Sequence, residues 1–173
     1  LHSLGIFMAK RILIVDDEEN IGRSLRLILE REGYAVLFAT SVAGFYQAPR
    51  ADLYLFDVRL PDGSGIDLLR HVLAQQPEAP VVMISGHATI ADAVEAVKLG
   101  ACDFLEKPLA RDRVLVALER ALERSKLRQE NTRLKEQIGN PPRMIGASPA
   151  FQRVLEQATL AARADARVLL IGE

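Results

Sequence analysis

The sequence predicts an α/β fold in which helices wrap both faces of a parallel sheet, and three observations carry that reading. Between residues 10 and 124, short apolar runs alternate with stretches of helical period. The runs, such as Ile12-Leu13-Ile14-Val15 and Val81-Val82-Met83-Ile84, are continuous rather than alternating, as strands covered on both faces require. Four of them end in polar or charged residues: Asp16-Asp17, Asp57, Ser85-Gly86 and Glu106-Lys107-Pro108. An open parallel sheet carries its chemistry at that carboxyl end of its strands.

Taken in order, Ile12–Val15 is the first strand. Glu18 to Glu32 follows as a helix, with Ile21, Leu25, Ile28 and Leu29 on one face, acids in its first turn and Gly33 just beyond its end. Tyr34–Ala39 is the second strand. Ser41 to Ala48 is a short helix, weakened by Gly44 and stopped by Pro49. Leu53–Phe56 is the third strand. Gly63-Ser64-Gly65 opens a helix that carries Ile66, Leu69 and Leu73 inward and ends near Pro77. Val81–Ile84 is the fourth strand. Thr89 to Leu99 is a helix with Ile90, Val94 and Val97 expected inward, Lys98 in its last turn and Gly100 as its stop. Ala101–Leu105 is the fifth strand, and a last helix starts after Pro108. Five strands with right-handed crossovers, in about 115 residues, fit the flavodoxin-like order 2-1-3-4-5. That order makes strands 1 and 3 neighbours and puts Asp16, Asp17 and Asp57 in one pocket.

Composition excludes several classes. Of the 173 residues, 49% are hydrophobic and 26% charged, with a net charge of -1, so no global field points to nucleic acid or an anionic membrane surface. No apolar run approaches the roughly 20 residues of a membrane span. The one cysteine, Cys102, lies in an apolar run, reads as core filler, and fits a reducing cytoplasm. Met8-Ala9-Lys10-Arg11 looks like a natural start, so residues 1–7 are read as upstream or vector sequence, and residues 1–9 as a tail ahead of the domain at 10–124.

The last helical pattern outruns the sheet. It extends from about Arg111 to Ile138, on the order of 40 Å. Val114, Leu115, Leu118 and Leu122 suit sheet cover. Beyond them Leu127, Asn131, Leu134 and Ile138 follow a four-three-four spacing, open to two readings: a short pairing seam or a solvated linker helix. Gly139-Asn140-Pro141-Pro142 breaks the helix, so 125–142 is expected to be a linker. A new segment begins at 143. Ser148-Pro149 reads as an N-cap with Pro at the first helical position, Phe151, Val154, Leu155 and Ala158 share a face, and Arg167–Ile171 reads as a strand. Some 30 residues are too few to fold alone.

Three carboxylates in one pocket repel one another unless a cation neutralises them. Oxygen ligands with no His or Cys at strand ends 1 and 3 suit Mg2+ rather than zinc. Asp17 would ligate it directly and Asp16 directly or through water, with Asp57 and the backbone carbonyl of Arg59 as further ligands. Asp57 is then a plausible carboxylate nucleophile toward phosphorus, Lys107 would neutralise the transferring group, and the Ser85 hydroxyl would donate to it. Singly, each feature also has an ordinary reading: helix-start acids at Asp16-Asp17, a loop entry at Asp57, a turn at Ser85-Gly86, a loop exit at Lys107-Pro108. Their convergence on one sheet end favours the chemical reading.

Val15-Asp16-Asp17-Glu18, Leu55-Phe56-Asp57-Val58-Arg59-Leu60-Pro61-Asp62-Gly63-Ser64-Gly65, Ile84-Ser85-Gly86-His87-Ala88 and Phe104-Leu105-Glu106-Lys107-Pro108 together resemble the receiver domain of two-component response regulators. The resemblance implies that Asp57 is the phosphoacceptor for a sensor histidine kinase. Asp16 and Asp17 would form the acidic metal pocket, Ser85 the switch hydroxyl, Lys107 the phosphate contact and Phe104 the aromatic switch. Phe104 stands where many receivers carry Tyr, Ser85 where many carry Thr, and Arg59 at a variable position that tunes phosphate lifetime. Met144-Ile145-Gly146-Ala147-Ser148-Pro149-Ala150-Phe151 followed by Val168-Leu169-Leu170-Ile171-Gly172-Glu173 resembles the start of the AAA+ ATPase domain of NtrC-family sigma-54-dependent activators. Residues 143–173 would be the N-terminal stub of that domain, with no phosphate-binding loop following. The longer protein would engage ATP, sigma-54 RNA polymerase and DNA, and phosphorylation would control a homodimer through the last receiver helix and linker. Two other functions compete. One is a dimerisation module without phosphorylation. The other is a magnesium-dependent phosphatase with an aspartyl nucleophile, disfavoured because Arg59 stands where such enzymes place an acid. On this reading the chain is not an enzyme in its own right.

Overall fold

The apolar runs pair as one parallel sheet, seen in a computed structural model that describes residues 9–87, 89–138, 148, 151, 153, 154, 156 and 157. The elements in chain order are β1 (Arg11–Val15), α1 (Glu19–Arg31), β2 (Ala35–Ala39), α2 (Val42–Gln47), β3 (Leu53–Asp57), β4 (Arg59–Leu60), β5 (Gly63–Ser64), α3 (Gly65–Gln75), β6 (Val81–Ser85), α4 (Ile90–Leu99), β7 (Asp103–Glu106) and α5 (Arg111–Ile138). The main sheet has the order β2-β1-β3-β6-β7 with every pairing parallel. Counting its five strands alone, this is the expected 2-1-3-4-5. β3 lies at the centre, buried at all five positions, because both faces are covered.

Side-chain alternation divides the core into two layers. Leu13, Val15, Tyr54, Phe56, Val81 and Met83 point to the face covered by α2, α3 and α4, where they meet Phe45, Ile66, Leu69, Val72 and Ala96. Ile12, Ile14, Leu53, Leu55, Val82 and Ile84 point to the other face, against Leu25 and Leu29 of α1 and Val114, Ala117, Leu118 and Ala121 of α5. Each fully buried aliphatic side chain contributes about 1.5–3 kcal/mol. Cys102 is half-buried at the edge of the second layer rather than inside it.

Two elements differ from the sequence reading. The first is α4, whose Ile90, Val94 and Val97 are not inward but 86%, 46% and 59% exposed. The helix has two apolar stripes, and the smaller one wins: Ala96 is fully buried and Leu99 packs on the core. Alanines let the helix approach closely, and an Arg70–Glu95 ion pair ties its other flank to α3. A capping box at Thr89 and Asp92 starts the helix, and Gly100 ends it at φ 112°. The second is the Leu60-Pro61-Asp62-Gly63 turn, which is a two-residue hairpin. β4 and β5 pair antiparallel, Arg59 with Ser64 and Leu60 with Gly63. Its tip is fastened to α2, because the Asp62 carboxylate accepts from the backbone N–H groups of Val42 (2.8 Å) and Ala43 (2.9 Å). Those two bonds hold the Asp62 carboxyl below its ordinary value.

The compact unit containing the sheet ends at Arg133, inside α5. Past the sheet-covering residues this helix is tied to the α3–β6 loop. The Ser125 hydroxyl donates to the Glu78 carbonyl (2.6 Å), and the Thr132 hydroxyl donates to the Glu78 carboxylate (2.5 Å). Ser125 is buried, whereas Leu127 is 60% exposed. In the second unit, Ser148 accepts from the Phe151 N–H (3.2 Å), the bond expected of an N-cap. The Gly139–Pro142 break, the strand expected at Arg167–Ile171 and residues 1–8 lie outside the described residues. Among the described residues, no helix is long and apolar enough to cross a membrane.

Candidate functional site

The carboxyl ends of β1, β3, β6 and β7 converge, and each strand delivers one part of the site. Past β1, the Asp16 N–H donates to the Ala39 carbonyl of β2 (3.0 Å), which holds Asp16 fully buried as the chain leaves the sheet. Asp57 is the last residue of β3 and is 5% exposed. Ser85 ends β6 and is likewise buried. Lys107 follows β7, and its N–H donates to the Ser85 carbonyl (2.8 Å), while the Lys107-Pro108 bond is cis.

Asp16, Asp17 and Asp57 each offer a carboxylate oxygen within 4.8 Å of the others. Lys107 reaches into this group. Its Nζ donates to Asp57 Oδ2 (2.6 Å) and to Glu18 Oε1 (2.7 Å), and lies 2.9 Å from Asp16 Oδ2. The lysine side chain is only 10% exposed. Burial alone would lower its pKa, but the carboxylates of Asp57, Glu18 and Asp16 outweigh that and hold the ammonium well above its ordinary value.

Asp16 shows the opposite balance. Burial pushes its carboxyl up from 3.8, and the Lys107 ammonium and the Glu18 N–H, which donates to Asp16 Oδ1 (2.8 Å), only partly offset the rise. Asp16 Oδ2 is buried and, although close to the ammonium, receives no directed hydrogen bond. An oxygen in that condition, beside the carboxylates of Asp17 and Asp57, suits a hard divalent cation such as magnesium.

Asp17, Asp57, Arg59, Ser85 and Lys107 all border one open cleft, with Asp16 beside its acidic end. The Arg59 N–H donates to Asp57 Oδ1 (3.1 Å) and orients the carboxylate. The Ser85 hydroxyl oxygen accepts from the His87 N–H (3.2 Å). Phe104 does not border the cleft. It is half-buried on β7, packed against the α3–α4 side of the core.

Two participants escaped the sequence reading. Glu18 contributes the third carboxylate around Lys107, and only its place after Asp16-Asp17 at the same sheet end could have signalled this. Gly65 allows β3 and α3 to close: a Cβ there would lie 1.9 Å from the Asp57 carbonyl oxygen. A Gly two residues past an Asp-Gly turn is an ordinary loop signal and does not reveal that approach.

Comparison with known proteins places this geometry. The family described as response regulator receiver domain matches residues 12–119. The nitrogen assimilation regulatory protein NtrX of Azorhizobium caulinodans is 41% identical over 170 residues, covering 95% of this chain and 37% of that protein. The crystal structure of NtrX from Brucella abortus superposes with a TM-score of 0.72 at 38% identity, over 90% of this chain and 35% of that one. The solution structure of the beryllofluoride-activated NtrC4 receiver domain dimer gives 0.63 at 36% identity, over 66% of this chain and 98% of that one. The chain thus spans little more than a third of the full-length relatives it matches. It belongs to the response regulator receiver domain family, with regulators of the NtrC type among its relatives.

Proposed function

We propose that residues 10–124 are a phosphorylation-controlled switch in which Asp57 accepts a phosphoryl group from a sensor histidine kinase. The observation that carries the reading is the pairing of Asp57 with Lys107 at 2.6 Å inside a group of three carboxylates. Asp57 Oδ would form the bond to phosphorus as the donor's P–O or P–N bond breaks. Lys107 stays protonated throughout and would meet the new phosphoryl oxygens. Asp16, Asp17 and Asp57, with the Arg59 carbonyl, would hold Mg2+. When bound, that ion neutralises the carboxylates and the transferring oxygens.

A phosphoryl group adds about 1.5 to 2 negative charges. The Ser85 hydroxyl and Lys107 would be drawn to it, and Phe104, half-buried now, would turn inward. The surface of α4, β7 and α5 would then change its partner. The dimer named for the NtrC4 receiver supports pairing here through α5 and its continuation, where Leu127 and Leu134 are 60% and 50% exposed. Residues 125–142 would be the linker, and 143–173 the start of an AAA+ domain. In the longer protein this switch would govern an ATPase acting on sigma-54 RNA polymerase at DNA in the cytoplasm.

Beryllofluoride with magnesium tests the reading without a kinase. Amide NMR shifts are expected to cluster at Asp57, Ser85 and Lys107, and light scattering is expected to change with the mimic. An undisturbed spectrum in the parent, or shifts of equal size in Asp57→Asn, would refute it.

A further inference from the structure

Glu18 occupies a helix start without acting as its cap. Its carbonyl accepts from the Ile21 (3.0 Å) and Gly22 (3.2 Å) N–H groups as α1 begins, yet its side chain makes no capping bond. Caps are ordinarily Ser, Thr, Asp or Asn, whose short side chains reach back to the helix. The longer Glu18 side chain crosses the mouth of the cleft to Lys107 Nζ at 2.7 Å. An ammonium has three N–H bonds. Three carboxylate oxygens, from Asp57, Glu18 and Asp16, lie within 2.9 Å of this one. Two of the three N–H groups are donated, to Asp57 and Glu18, and Asp16 Oδ2 lies beside the ammonium without a directed bond.

A transferred phosphoryl group therefore competes for Lys107 with carboxylates already bonded to it. Asp16 and Asp57 are buried and fixed at strand ends. The Glu18 side chain is 57% exposed and returns to water at little cost. We infer that Glu18 is a latch on Lys107, a positioning residue that holds the lysine in the unphosphorylated arrangement and competes with the incoming phosphoryl oxygens for it. This rests on Asp57 being the phosphoacceptor. With acetyl phosphate as donor, Asp57 Oδ bonds to phosphorus and the bridging P–O bond breaks. Acetate leaves with the electron pair, no proton moves to or from Lys107, and the Glu18 carboxylate is released to solvent.

The test compares the full chain with its Glu18→Gln and Glu18→Asp variants in magnesium and acetyl phosphate. Gln removes the charge, while Asp keeps it and withdraws it by one methylene from the lysine. A latch predicts that both variants are loaded at half-maximal rate by about threefold less donor, the scale of a released, largely exposed ion pair. The maximal rate and the melting temperature should be held. Without metal or donor, the Lys107 ammonium NMR signal, slowed in exchange by its bonds to Asp57 and Glu18, is expected to broaden in both variants. A shift in the Gln variant alone would mean a field effect and overturn the latch. No shift in either, with the parent still loading, would also overturn it and leave the receiver reading intact. A parent that does not load would remove the receiver reading, and the latch with it.

Discussion

At Asp16, burial and charge pull against each other. Its carboxyl is raised above 3.8 mainly by burial, so ionisation is less favourable folded than unfolded. The group's stabilising contribution is complete below about pH 3.8 and is lost as pH rises through the higher folded value. Metal-free Asp16→Asn is therefore expected to melt above the parent at pH 7, with the gap closing on acidification, and magnesium should raise the parent's melting temperature more than the variant's. A variant that melts lower at pH 7 would mean that Lys107 attraction outweighs burial. Gly65 makes a steric claim. A Cβ there would lie 1.9 Å from the Asp57 carbonyl oxygen, which is backbone and cannot swing away. Gly65→Ala is expected to cost about 3 kcal/mol or more in chemical denaturation. Gly22 also faces close atoms, but they belong to the Phe38 ring, which can yield.

Among the elements, α4 and α5 carry the sharpest expectations. Because Val94 is 46% exposed and Ala96 fully buried, Val94→Ser should change stability by no more than about 0.5 kcal/mol, while Ala96→Leu should cost about 1–3 kcal/mol. Equal costs would return the helix to the orientation its larger apolar residues suggest. The α5 extension is held through Glu78. Ser125→Ala with Thr132→Val would remove both bonds to Glu78 and cost about 1 kcal/mol each. Hydrogen exchange should rise along 125–133 and stay unchanged in β1 and β3. These elements also mark where the sequence was and was not legible. Continuous runs such as Leu53–Phe56 signal a doubly covered strand, so the parallel sheet was legible from the run pattern, and its order from the crossover rule and the domain's length. In Ile90–Leu99 two apolar stripes compete, and the choice between them depends on the close fit of small residues to α3 and β7, which periodicity does not encode. The β4–β5 hairpin was missed because its strands are two residues each, too short for alternation to register.

On the scale of the whole molecule, strand order turns separated residues into a site. Asp16, Asp57, Ser85 and Lys107 are distant in sequence, and the parallel order puts their strand ends together at one edge. The carboxylate group was legible because each acid follows an apolar run. The Glu18 contact was not, because it depends on the reach of two long side chains across the cleft. Phe104 shows a related limit: its position on β7 was readable, but its half-buried packing was not. If two chains pair through α5 as proposed, Leu127→Glu combined with Leu134→Glu should abolish that pairing in light scattering and leave the sheet's melting temperature unchanged. The most direct test of the central claim is peptide mapping by mass spectrometry after incubation with magnesium and acetyl phosphate. The account predicts one base-labile phosphoryl group on Asp57, lost in Asp57→Asn and on chelation of magnesium. Loading of another residue, or loading indifferent to magnesium, would contradict it.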